Sequence, residues 1–256
     1  RGFVSFWESN FGKLEKVVKL DGYPDLLVTQ LVSQACAQAL GCEQEVELVH
    51  NCLDNSLQGI ILPGQKTGLL NLPAYGDESY SLRLAEDENL SKARERVQRA
   101  YGCFGQALKI HDDWERIFIS SMDFEAMDEL AEETAEKLFG GQKTDRAGSC
   151  ADRFFGAATV NGSYDYIPNI TQEIPKRYFL KGRPGTGKST FLKMLARAAQ
   201  DRGYRTEAYH CAFDPNSLDM IAVRELGLCV FDSTAPHEYF PDRDSDEILS
   251  LIHISE

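Results

Sequence analysis

The chain has 256 residues, 43% hydrophobic and 26% charged, enough apolar material for a folded core and too much for a disordered tail. Forty acids against 27 bases leave a formal net charge of −13, which argues against general nucleic-acid binding or adsorption to a membrane surface. At about 150 residues per domain, the length suggests one large domain or two small ones.

No run of 18 apolar residues occurs, so no transmembrane helix is expected. The seven cysteines are scattered without a CxxC pair, which signals neither a disulfide framework nor a zinc site. They fit a reducing compartment, and a cytoplasmic location is the expectation. The sequence opens on Arg1 without an initiator Met, and its last eight residues (LSLIHISE, 249–256) resemble a translated sequencing adapter. It therefore reads as truncated, with 249–256 a non-native tail.

In chain order, residues 16–20 read as a short strand. A helix follows with Leu31, Val32, Ala35, Cys36 and Ala39 on one face, and then a strand over 46–50. Residues 90–120 carry Val97, Tyr101, Phe104, Leu108 and His111 at alternating four and three spacing. Residues 123–139 repeat this with Phe124, Met127, Ala131, Thr134 and Leu138, so the two predict a helical hairpin with a heptad-like seam. Its outer face is acidic, and Glu129, Glu132, Glu133 and Glu136 form either a solvated face or a docking surface for a protein partner. Residues 154–160 return to strand character and resemble residues 2–6.

Residues 177–181 then predict a strand, followed by a helix with Phe191, Leu192, Leu195, Ala198 and Ala199 that stops at Gly203. Strands are expected over 206–211 and 226–232. Strands alternating with helices imply a parallel sheet covered by helices.

Laying residues 17–60 over 177–221, with one gap at Pro215, gives eleven identities in 44 positions. The polar ones, His50/His210, Asp54/Asp214, Asn55/Asn216 and Ser56/Ser217, cluster where loops begin, which chance hydrophobic matching does not produce. Two related units are expected: 1–82, and 151–248 after a hairpin over 83–150.

Between strand and helix of the second unit, GRPGTGKST (182–190) fits the phosphate-loop pattern G-x-x-x-x-G-K-[ST] completely. Gly182, Gly185 and Gly187 are expected to take positive φ and let the backbone approach phosphate oxygens, with Arg183, Pro184 and Thr186 completing the loop. The helix start adds its positive end. Lys188 is assigned to the β- and γ-phosphates, Ser189 to Mg²⁺, and Thr190 to the neighbourhood of the α-phosphate. Asp232, ending an apolar strand, is either the second Mg²⁺ acid or a cap; its spacing from the loop fits an order with both strands adjacent, as in kinases and GTPases, and equally a recombinase- or AAA-type order. Asp214 either polarises an acceptor or forms an Asx turn. His210 is read mainly as a packed strand residue, and Thr234 and His237 as γ-phosphate sensors or ordinary loop residues.

At the same register the first unit has Asp25 for Gly185, Leu27 for Gly187 and Val28 for Lys188, and LLNL (69–72) offers no acid where Asp232 stands. Losing the cation and adding an anion predicts a degenerate unit that binds no triphosphate.

RYFLKGRPGTGKST, YHCAFDPNSLDM, FDSTAPHEYFP and IHDDWERIFISSMDF resemble a family of uncharacterised tandem P-loop ATPases related to nucleotide kinases. The resemblance implies an α/β P-loop NTPase fold, a three-layer parallel sheet in two related units with a helical hairpin insertion. It also implies ATP binding and hydrolysis. Members commonly keep both loops intact and continue past the second unit with another hairpin, so the lost first loop is a departure. The expected function is a Mg²⁺-dependent ATPase acting as a switch. The alternatives are a nucleotide or small-molecule kinase, for which Arg243 is the one lid arginine after Asp232, and a nucleotide-gated interaction protein without turnover.

Overall fold

The computed structural model describes residues 4–20, 22–71, 88–141, 143–235 and 237–251. Residues 2–3, Leu72, the expected 82/83 boundary and residues 252–256 lie outside them. The chain divides into two compact units, residues 1–102 with 156–164, and residues 103–155 with 165–256.

The first unit runs α1 (Trp7–Phe11), β1 (Lys16–Lys19), α2 (Asp25–Gly41), β2 (Glu47–His50), β3 (Leu57–Leu62) and β4 (Thr67–Leu70). Its sheet has the order β1-β4-β3-β2, with β1 and β4 parallel and both remaining pairs antiparallel. The long α3 (Glu88–Ile119) and α4 (Phe124–Phe139) follow. After them come β5 (Ser149–Phe154), the small ribbon β6 (Gly156–Thr159) and β7 (Gly162–Asp165), and α5 (Ile167–Ile170). The second unit continues with β8 (Lys176–Lys181), α6 (Lys188–Asp201), β9 (Arg205–His210), β10 (Leu218–Val223), β11 (Leu228–Asp232) and β12 (Glu247–Ser250).

The second sheet has the order β12-β8-β11-β10-β9-β5. It contains β8-β11-β10-β9, the same order and directions as β1-β4-β3-β2. The agreement extends to irregularities. A register shift falls between Val49 and His50 in one unit and opposite Tyr209 and His210, between Leu218 and Met220, in the other, and each β-hairpin closes through a 3₁₀ turn capped by a left-handed residue, Lys66 or Gly227.

The architecture is mixed α/β, and the expectation of an all-parallel sheet is corrected: β10 runs antiparallel to both neighbours. The reason is chain length. Four residues separate β10 from β11, whereas a parallel crossover needs about a dozen or more. Because β10 doubles back, β11 still lies directly beside β8. Leu249 and Ser250, set aside as part of a tail, pair with Leu180 and Lys181 in parallel register, and Leu251 is fully buried.

The helical segment also differs from the expected hairpin. Met127, Ala131, Thr134, Ala135 and Leu138 of α4 are buried, but the stripe packs on α6 rather than back along α3. Phe104 and His111, expected in a seam, are exposed on α3, as is Phe124 at the start of α4.

In the second unit α6 lies under α4 and buries Phe191, Leu192, Leu195, Ala196 and Ala199. In the first, α2 buries only Val28, Val32 and Ala39. Phe191 is 1% exposed and its counterpart Leu31 is 36% exposed. Truncating Phe191 to Ala is expected to cost about 3–5 kcal/mol through lost burial and cavity formation. Leu31→Ala should cost less than about 1 kcal/mol, since a half-exposed side chain loses little. Urea unfolding of the two variants checks the asymmetry.

Candidate functional site

The loop joining β8 to α6 is held in a tight curl by its own residues. Gly185 and Gly187 have φ of 82° and 75°, the left-handed region that favours glycine. Gly182 corrects the expectation, since its φ is not positive. Its requirement is space, because a Cβ there would lie 2.4 Å from Thr186 Oγ1. Thr186 is fully buried and donates through Oγ1 to Arg183 O at 2.8 Å. Gly187 is the residue before α6, so the helix begins at Lys188. Arg183 and Thr190 are exposed, and Pro184 is half-buried.

Lys188 folds back over this curl. Its Nζ donates to Gly182 O at 2.7 Å and to Arg183 O at 3.0 Å, and lies 3.7 Å from Asp232 Oδ2. Both charged side chains are largely buried, and the pairing follows from the parallel register of β8 with β11. Asp232 Oδ1 accepts from the amide and hydroxyl of Thr234, leaving Oδ2 toward the lysine. Ser189 Oγ accepts from the Leu218 amide at 2.9 Å, with a lone pair remaining.

A second acid was missed by the sequence reading. Asp219 lies at the register shift of β10, 9% exposed, within electrostatic reach of Asp232, Lys188 and His237. Burial pushes its carboxyl up, repulsion from Asp232 adds to this, and a hydrogen bond with Cys211 opposes it. The same burial pushes the Cys211 thiol up to about 12. A lone acid inside the apolar run SLDMIAV was the available signal.

The twin unit shows what this cluster becomes without a cation. Val28, buried, replaces Lys188, Asn71 stands at the position of Asp232, and Gln58 at that of Asp219. Both acids are amides where the lysine is absent. Asn71 Nδ2 donates to Asp25 Oδ1 at 3.4 Å, and Gln58 Nε2 is buried without a hydrogen-bond partner among the described residues.

Other candidates are tied to the fold instead. Asp214 Oδ1 accepts from the Asn216 amide, as Asp54 Oδ1 does from Ser56. His210 Nδ1 contacts Pro215 O as His50 Nδ1 contacts Asn55 O. A turn kept in the unit that lacks the lysine is accounted for by architecture. Arg243 donates to the carbonyls of Ile174 and Gln172, away from the loop.

His237 sits in a network of its own. Its Nδ1 donates to Asp165 Oδ2 at 3.1 Å, while Asp165 Oδ1 accepts from Tyr239 Oη at 2.7 Å and from the Ile167 amide. Glu129, Glu132 and Glu133 are exposed on α4, and Glu136 accepts from Arg202. All seven cysteines are free thiols. No helix among the described residues is long and apolar enough to cross a membrane. No protein-family model, curated protein or solved structure matches the chain.

Burial works against the charge on His237, but its contact with Asp165 outweighs this and raises its pKa above the ordinary 6.5. Burial likewise opposes charge on Asp165, yet hydrogen bonds from His237 and Tyr239 bring it below 3.8. The histidine contribution is full below about pH 6.5 and is lost as pH rises through the raised value. The aspartate contribution is present above about pH 3.8 and is lost as pH falls through the lowered value. The stability gap between the native protein and Asp165→Asn should therefore be widest between about pH 4 and 6.5 and narrow as pH rises through the raised histidine value. Thermal unfolding across that range measures it.

Proposed function

We propose that the second unit is a P-loop NTPase that binds one ATP with Mg²⁺ and hydrolyses it as a conformational switch, while the first unit is a scaffold without a nucleotide. The carrying observation is Lys188, which the loop curls back beside Asp232 at the carboxyl ends of two adjacent parallel strands. Open α/β sheets use that edge for ligands. The backbone of residues 182–187 and the start of α6 are suited to phosphate oxygens, and the lysine exchanges its two carbonyl contacts for them.

Ser189 and Asp232 are the residues that would hold Mg²⁺. A hydroxyl with a free lone pair and a carboxylate oxygen turned toward the lysine are the hard donors this ion takes. Bound there, the ion neutralises charge on the transferred phosphoryl group. Asp219 lies within electrostatic reach of both Asp232 and Lys188, so its charge bears on that pair.

The kinase alternative loses support because Arg243 is held by backbone carbonyls. The exposed acids on α4 keep a protein partner in view, and a cytoplasmic setting matches the free thiols.

Calorimetric titration with ATP and Mg²⁺ should give one site per chain, with binding weakened at least a hundredfold in Lys188→Ala. Single-turnover phosphate release without an added acceptor should occur in the native protein and be absent from that variant. Two sites, or release that survives the substitution, would refute the reading.

A further inference from the structure

A groove of about 230 Å³ lies in the second unit between α6 and the strands β5 and β9. Its floor is apolar and buried, formed by Ala196, Ala208 and Leu218. Lys193 and Arg197 line one side and Asp152 the other.

The two cations are four residues apart on α6, so they project together over the same opening. Neither has an ion pair or side-chain hydrogen bond among the described residues, in a chain with 40 acids and 27 bases. Other basic side chains of this unit, Lys137, Arg177, Arg202 and Arg224, do find carboxylates. Asp152, the acid across the groove, is oriented by His210 Nε2 at 3.0 Å, and His210 is itself fixed by Pro215 O. A carboxylate has further lone pairs to offer a hydroxyl group. Arginine's planar fork matches the oxygens of a phosphate or carboxylate, and lysine adds a point charge.

We propose that this groove is a second ligand site, separate from the β8–α6 loop, for a small hydroxyl-bearing anion. Lys193 and Arg197 hold the phosphate or carboxylate, and Asp152 accepts from a hydroxyl. The volume lies below the roughly 300–1,000 Å³ of sites for drug-sized molecules, so the ligand is of triose or pentose size. Leu218 links the two places, since it lines the groove while its amide donates to Ser189 Oγ.

The test titrates the full chain with ribose 5-phosphate, 3-phosphoglycerate, glycerate, ribose and inorganic phosphate, followed by calorimetry and by the amide resonances of Ala196, Ala208 and Leu218. Saturable binding of ribose 5-phosphate or 3-phosphoglycerate that shifts those amides is expected, with ribose at least tenfold weaker. Preference for ribose 5-phosphate identifies a phosphate ligand, and equal binding of glycerate and 3-phosphoglycerate a carboxylate ligand. Lys193→Ala and Arg197→Ala should each weaken binding about tenfold, and Asp152→Asn should weaken the hydroxyl-bearing anions but not inorganic phosphate. Both cations are exposed, so their variants should fold normally. Lys188→Ala should bind these anions as the native protein does, which separates this site from the nucleotide reading. No saturable binding of any anion, or binding unchanged in the Lys193→Ala/Arg197→Ala double variant, overturns the proposal.

Discussion

One ammonium group organises the second unit. Lys188 is drawn into the glycine-rich loop by two carbonyls of that loop and faces an acid on the neighbouring strand. Repulsion from Asp232 disfavours charge on Asp219 in a medium that screens poorly, and the Lys188 cation acts in the opposite sense. The twin is the natural control. Once the lysine position is a buried valine, acids at both strand positions would be uncompensated, and amides of similar shape stand there instead. Breaking a buried pair by removing one member is costly, whereas replacing the whole set with neutral groups is often tolerated. Charge and shape therefore changed together in the first unit.

The antiparallel hairpin of β10 and β11 brings that cluster about. A chain that alternated only strand and helix would have to cross over to reach the position beside β8. Here it reaches that position by turning twice at short connections, through 211–217 and 224–227. The first turn carries Asp214 and is held by His210 at the end of β9, and their hydrogen bonds are reproduced by Asp54 and His50. The second carries the left-handed Gly227, matched by Lys66. The residues that repeat most visibly between the halves are thus the ones that set the hairpin geometry. The residues that differ between the halves carry the charge.

This explains how much could be read from the sequence. The loop, both flanking elements and an acid at the end of the 226–232 strand were legible because glycines, an apolar strand and a terminal acid each leave a local mark, whereas the contact of Lys188 with Asp232 was not read. β10 was not read as a strand at all, and with it the antiparallel turn made by the four residues between 223 and 228 went unread. The acid Asp219 went unseen because a charged residue inside an apolar run resembles a loop until the strand partners are known. The α3 seam misled for a different reason. Alternating four and three spacing shows that a helix has an apolar stripe, but not which surface receives it, and α4 found α6 instead.

That choice of partner has a consequence at the loop. The last turn of α3 and the start of α4 meet the glycines themselves: a Cβ at Gly185 would lie 2.9 Å from Glu115 O and from Phe118 Cβ, and one at Gly187 within 2.8 Å of the Met122 and Met127 methyls. The first contact is backbone and stiff, while the second is made by flexible methionine ends that can repack. Glycine is therefore required here both by φ and by the approach of these helices. Because α4 packs along α6 through its buried stripe, and α6 begins at Lys188, the loop, the lysine and the turn at 120–123 belong to one contiguous packed group.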